Sequence, residues 1–194
     1  MPEAGTTFIL LAAGSASRMG RPKQLLPYRG MPLVRWSAMQ ALESECERVI
    51  VVTGSNGSLV SSALERLPIT IVYNAQWEAG MGSSIAAGLG TAAAEGCQRV
   101  LIAVADTPLI TPEYYKHLLA QHSRTGLPIA ASAYSDTVGV PAVFDGSVFP
   151  ELLGLGPSEG CKKILVRYGA QVCRVPCDEA TLDIDTPADY EKLS

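Results

Sequence analysis

The sequence predicts an α/β protein, a three-layer α/β/α sandwich around a mostly parallel, doubly wound sheet. Three observations lead there. Short apolar runs alternate along the whole chain with stretches of helical spacing, the β-α-β-α order of a layered fold. Strands separated by helices run largely parallel, because a crossover helix returns the chain to the same edge of the sheet. A chain of 194 residues with 47% apolar content can bury one core, whereas two full domains would be cramped, so residues 1–194 are read as a single domain.

Apolar runs at 7–12, 48–53, 69–73, 99–105, 128–132, 141–144 and 170–175 read as strands. Between them, helical spacing or a start signal marks helices over 32–44, 56–66, 81–94, 112–122 and 158–168. The clearest start is Thr111-Pro112, an N-cap residue followed by proline. Proline and glycine are spread evenly, with no repeat, low-complexity tract or linker. In such a sheet ligands gather at the C-terminal ends of the strands.

Composition removes several classes of function. The formal charge of −4 and the absence of any Lys/Arg cluster argue against a nucleic-acid partner. Residues 1–5 carry no basic region, and the run 8–13 is far shorter than a membrane span, so a soluble, cytoplasmic protein is expected. Five cysteines without a C-x-x-C pair suit a reducing compartment. Cys173 and Cys177 share a strand face, as two small buried hydrophobes or as a metal pair lacking further ligands at zinc spacing. His117 and His122, five apart, do not share a helical face, and no catalytic triad assembles from linear proximity.

Three segments carry chemistry. Leu11-Ala12-Ala13-Gly14-Ser15 ends the first strand in small and hydroxyl residues, whose backbone N–H groups can cradle phosphate oxygens, and Arg18 and Lys23 follow with positive charge. The segment is neither a dinucleotide fingerprint nor a P-loop. Asp106 stands directly after an apolar strand, before a turn forced by Pro108, well placed to hold a metal. Magnesium often takes only one or two protein carboxylates, so no dense acidic cluster is required. The stretch from Asn74 to Ile85 places glycines and serines at a strand-to-helix junction, where backbone donors can read a base edge or Ser83 and Ser84 can cap a helix.

The run from Leu11 to Leu26 resembles the L-A-A-G-x-S-x-R-M-G-x-P-K-x-L-L pattern of the MobA-like nucleotidyltransferase family, in its molybdenum cofactor cytidylyltransferase branch. Further segments are similar to the same branch: N-x-x-W-x-x-G-M-G-x-S-I at 74–85, G-x-P-A-x-F at 139–144 and D-I-D-T-P-x-D at 183–189. The resemblance implies a Rossmann-like nucleotidyltransferase fold and Mg²⁺-dependent transfer of a nucleotidyl group to an acceptor phosphate. It implies a triphosphate gripped by Leu11, Ala12, Ala13, Gly14, Ser15, Arg18 and Lys23, and a base held by Gly82 and Ser83. Arg18, Lys23 and Asp106 would then be catalytic, with Asp106 and Asp185 holding the metal and Asp183 as a second candidate; capping of the last helix is the other role open to these acids.

Ala13, where the guanylyltransferase branch has glycine, points to CTP before GTP. The acceptor side would be Gly139, Pro141 and Lys162, Lys162 being equally an ordinary solvated charge, and the acceptor molybdopterin, with a molybdenum hydroxylase as partner. Two departures stand out: Thr107 replaces the family's Gln or Met after the aspartate, and Pro157-Ser158 replaces a Gly-Asp pair on the acceptor side. Two other functions remain open. One is the family's nicotinamide-dependent, dehydrogenase-like branch acting on pigmented pyridine compounds. The other is a chaperone that holds a nucleotide-linked cofactor without turning it over.

Overall fold

The structure, a computed structural model, describes residues 3–15, 22–181, 183–184 and 186–193. In chain order, β1 (Glu3–Ala12) is followed by a two-stranded ribbon, β2 (Pro27–Tyr28) and β3 (Met31–Pro32), then α1 (Leu33–Leu42), β4 (Cys46–Thr53), α2 (Gly57–Ala63), β5 (Thr70–Tyr73) and α3 (Met81–Ala94). The second half comprises β6 (Arg99–Val104), α4 (Pro112–Thr125), β7 (Ile129–Tyr134), β8 (Thr137–Asp145), α5 (Phe149–Leu153), α6 (Lys162–Tyr168), β9 (Val172–Pro176) and α7 (Pro187–Glu191).

Seven strands form one sheet in the order β5-β4-β1-β6-β8-β7-β9. β1 pairs in parallel with both β4 and β6, and β8 alone runs against its neighbours β6 and β7. Alternation along β1 shows why three layers form: Phe8, Leu10 and Ala12 face a cluster shared with α1, α2 and α4, whereas Ile9, Leu11 and Ala13 face one shared with α3, α5 and α6. Each fully buried Leu or Ile contributes about 1.5–3 kcal/mol of transfer free energy. Phe8 also meets Tyr115 edge-on, with ring centroids 4.9 Å apart, a geometry that adds about 0.5–1.5 kcal/mol.

Local chemistry sets the ends of the elements. Thr111 accepts a hydrogen bond from the Tyr114 amide at the start of α4, and Gly126, at φ 63°, closes it. The helix therefore runs to Thr125, past the 122 read from spacing. Thr186 and Asp189 form a reciprocal capping box on α7.

Two expectations need correction. The β-α alternation fails between β7 and β8, which are joined by a two-residue hairpin with Ser135 and Asp136 at φ 44° and 61°; such a turn matches strand twist and reverses the chain, so β8 is antiparallel. The helix expected over 158–168 begins at Lys162, because the residues before it turn back across the start of α3. Among the described residues, no helix is long and apolar enough to cross a membrane.

Candidate functional site

β1, β4, β5 and β6 all end on one edge of the sheet, as parallel strands must, and a cavity of about 380 Å³ opens there. Its floor is the run Leu11, Ala12, Ala13, Gly14 and Ser15, where the chain leaves the strand ladder after Ala12. Lys23, Gln24, Val104, Ala105 and Asp106 close one side; Trp77, Glu78, Gly80, Met81 and Ser84 close the other.

The charged centre is the pair Lys23–Asp106. Lys23 Nζ lies 2.5 Å from Asp106 Oδ2, and the two side chains are only 15% and 20% exposed. The other carboxylate oxygen, Asp106 Oδ1, is buried and has no hydrogen-bond partner among the described residues. A buried polar atom left so is costly unless a ligand completes it. The backbone that carries the carboxylate is held from behind: the Ile184 amide donates to the Asp106 carbonyl (3.0 Å), Ser37 Oγ to the Ala105 carbonyl (2.9 Å) and Trp36 Nε1 to the Pro108 carbonyl (3.0 Å).

The floor is held by a residue that motif reading passed over. Gln24, 2% exposed, donates its side-chain amide to the carbonyls of Ala12 (3.2 Å) and Gly14 (2.6 Å). This fixes where the strand ends and the loop begins. The available signal was a polar residue between Lys23 and the apolar pair Leu25-Leu26.

The corner at 74–85 is wired internally. Asn74 Nδ2 donates to Ser83 Oγ (2.8 Å) and Ser84 Oγ (3.0 Å), and Ser83 Oγ donates to the Gln76 and Gly80 carbonyls. The Gly82 amide donates to the Pro157 carbonyl at 2.8 Å, so the loop before α6 caps the amino end of α3. Gly82 must be glycine for this approach, since a Cβ there would overlap the Gly156 carbonyl. Gly82 and Ser83 thus shape the corner, while Gly80, Met81 and Ser84 line the cavity.

The acceptor-side candidates lie elsewhere. Gly139 is buried in β8 opposite Ser132 and beside the Tyr134 hydroxyl; Pro141 is buried, its carbonyl accepting from Ser132 Oγ at 2.7 Å; Lys162 is exposed at the start of α6. None of the three lines the cavity. Burial, with the nearby Asp183 charge, pushes the Tyr134 phenol above its ordinary pKa, keeping it a proton donor. Arg18 and Asp185 lie outside the described residues. Asp189 serves the α7 cap, and no group of three or more metal-ligating side chains occurs among the described residues.

Comparison with known proteins identifies the family. The nicotine blue oxidoreductase of Paenarthrobacter nicotinovorans is 35% identical, over 96% of this chain and 95% of its own length. The molybdenum cofactor cytidylyltransferase of Escherichia coli is 26% identical, over 94% of this chain and 92% of its own. The crystal structure of Rv0371c from Mycobacterium tuberculosis in complex with manganese, 26% identical, superimposes with a TM-score of 0.76 over 97% of both chains. Residues 8–172 match the MobA-like NTP transferase domain. The chain belongs to that nucleotidyltransferase family.

Proposed function

We propose that this chain transfers a nucleotidyl group from a nucleoside triphosphate, CTP before GTP, to the phosphate of a small acceptor, molybdopterin, in the cytoplasm with Mg²⁺ or Mn²⁺. The observation that carries the proposal is the split environment of Asp106, one oxygen on Lys23 and the other buried and orphaned beside the Leu11–Ser15 floor. A bare carboxylate oxygen suits a hard divalent cation, so the residues fit the metal, with Asp106 as a ligand and Asp185 as the candidate second. When bound, that cation would neutralise charge on the triphosphate oxygens. The manganese complex of the Rv0371c relative supports a divalent ion, and the related cytidylyltransferase and Ala13 support CTP and the pterin acceptor.

The acceptor phosphate is already ionised at neutral pH, so no strong general base is required. It attacks the α-phosphorus in line, forming a P–O–P bond as the α–β bond breaks and pyrophosphate leaves. The protein positions the two reactants and supplies charge through Lys23 and Arg18. The test is pyrophosphate release from each of the four ribonucleoside triphosphates, with and without Mg²⁺ or Mn²⁺, in the presence of molybdopterin. Metal-dependent release with CTP preferred is expected; no release from any triphosphate would end the proposal.

A second reading is favoured by one observation, the 35% identity to a protein named an oxidoreductase. It predicts oxidation of NADPH with a pigmented pyridine acceptor and no pyrophosphate, seen directly in the nicotinamide absorbance.

A further inference from the structure

We propose that Trp77 is the nucleobase platform of the cleft. The inference rests on the nucleotide reading above and adds where the base lies and what holds it. Charge sets the direction of a bound nucleotide: the Lys23 ammonium, with the cation that Asp106 would hold, stands on the β6 side and would draw the phosphates there. The base must then extend across β1 toward Trp77, which the segment after β5 supplies and which stands over Gly54 at the end of β4. Two inter-strand steps separate β6 from β4, roughly 10 Å at about 4.8 Å each, a span within the reach of a nucleotide.

Trp77 is only half-buried, and it borders open space. It lines the cavity beside Asp106 and also a second, open depression of about 560 Å³ that includes Thr53, Ser55 and Tyr73, so it stands between two spaces. The root of its side chain is fixed. A Cβ built on Gly54 would stand 2.8 Å from Trp77 Cγ and 2.9 Å from the Ala13 Cβ, so nothing larger than glycine fits beneath the indole. The ring is half-buried against the Ile9, Ile50 and Ile85 cluster.

Nearby polar groups that suit a base edge are engaged: the Gly82 amide with Pro157, and the Ser83 hydroxyl with Gln76, Gly80 and Asn74. Trp77 adds to this end the one aromatic side chain that lines the cavity among the described residues, a surface on which a base can stack. Base–aromatic stacking is strong and tolerant of base identity.

The test compares CTP with inorganic tripolyphosphate, both with Mg²⁺, binding to the full chain by calorimetry. In Trp77→Ala, CTP should bind on the order of tenfold or more weakly, while tripolyphosphate, which has no base, keeps its wild-type affinity. Trp77→Phe keeps an aromatic face, so CTP affinity should stay within a few-fold of wild type, and the CTP-induced quench of tryptophan emission should vanish, since Trp36 is the other tryptophan. Equal weakening of CTP and tripolyphosphate, or no change in either, would overturn the platform and leave the nucleotide reading standing. A well-folded wild-type protein that binds neither ligand would overturn both.

Discussion

Replacing Asp106 with asparagine keeps the shape of the side chain and removes its charge, which separates two roles of this residue. The first is structural. Lys23 and Asp106 are 2.5 Å apart and only 15% and 20% exposed, between the surface regime, where an ion pair contributes at most about 1 kcal/mol, and the buried regime, where removing one partner costs about 3–5 kcal/mol. A loss of about 2 kcal/mol is therefore expected, and in a chain of this size each kcal/mol moves Tm by about 2–4 °C, giving a drop of about 4–8 °C. Because the two side chains touch, Asp106→Asn and Lys23→Met should be non-additive when combined, the double variant losing less than the sum of the two single losses. The second role is chemical: losing one charge-stabilising group at a phosphoryl centre typically costs on the order of 10² to 10³ in rate. The assay is a thermal melt of each variant with and without Mg²⁺ and CTP, alongside pyrophosphate release. An Asp106→Asn protein that melts like wild type and retains full turnover would refute both parts of the reasoning.

Other outcomes follow from the same geometry. Gln24→Leu strands the Ala12 and Gly14 carbonyls that Gln24 holds, and should cost about 1–3 kcal/mol in urea unfolding while weakening triphosphate binding by titration. Gly82→Ala drives a methyl into the Gly156 carbonyl and should cost about 1–3 kcal/mol. Gly90→Ala in the same helix meets nothing within 4 Å and should be neutral or stabilising by up to about 1 kcal/mol, a contrast that one pair of melts resolves. Hydrogen bonds from Thr186 first, then from Lys192, lower the Asp189 carboxyl to a pKa of about 2. Its contribution to the α7 cap is therefore full above the ordinary carboxylate pKa and is lost as pH falls toward 2. Trp36, which packs on the same small buried cluster as Tyr190 and Leu193, should report the loosening by fluorescence in that window, and Asp189→Asn should abolish the dependence.

The parts of the fold legible in the sequence are those fixed by local pattern. The unbroken apolar run at 7–12 could be satisfied only by a strand covered on both faces, and Thr111-Pro112 announced α4. The reversal at β8 was hidden because Ser135 and Asp136 hold the left-handed turn without a glycine to mark it. α5, five residues long, is too short for helical periodicity to show. At the site, the strip from Leu11 to Ser15, Lys23 and Asp106 converge as their positions after β1 and β6 required. Gln24 and the Pro157 cap on α3 were not legible, since both act through contacts between distant segments that leave no local pattern. The acceptor candidates Gly139, Pro141 and Lys162 were chosen by motif, and their elements carry them away from the cavity.

The central claim is that the free oxygen of Asp106 anchors the metal of a bound nucleoside triphosphate. The most direct measurement is anomalous diffraction from crystals grown with Mn²⁺ and a non-hydrolysable CTP analogue. The account predicts a manganese peak bonded to Asp106 Oδ1 and to triphosphate oxygens lying over Ala13 and Gly14. Manganese bound away from Asp106, or a nucleotide outside this cleft, would contradict it.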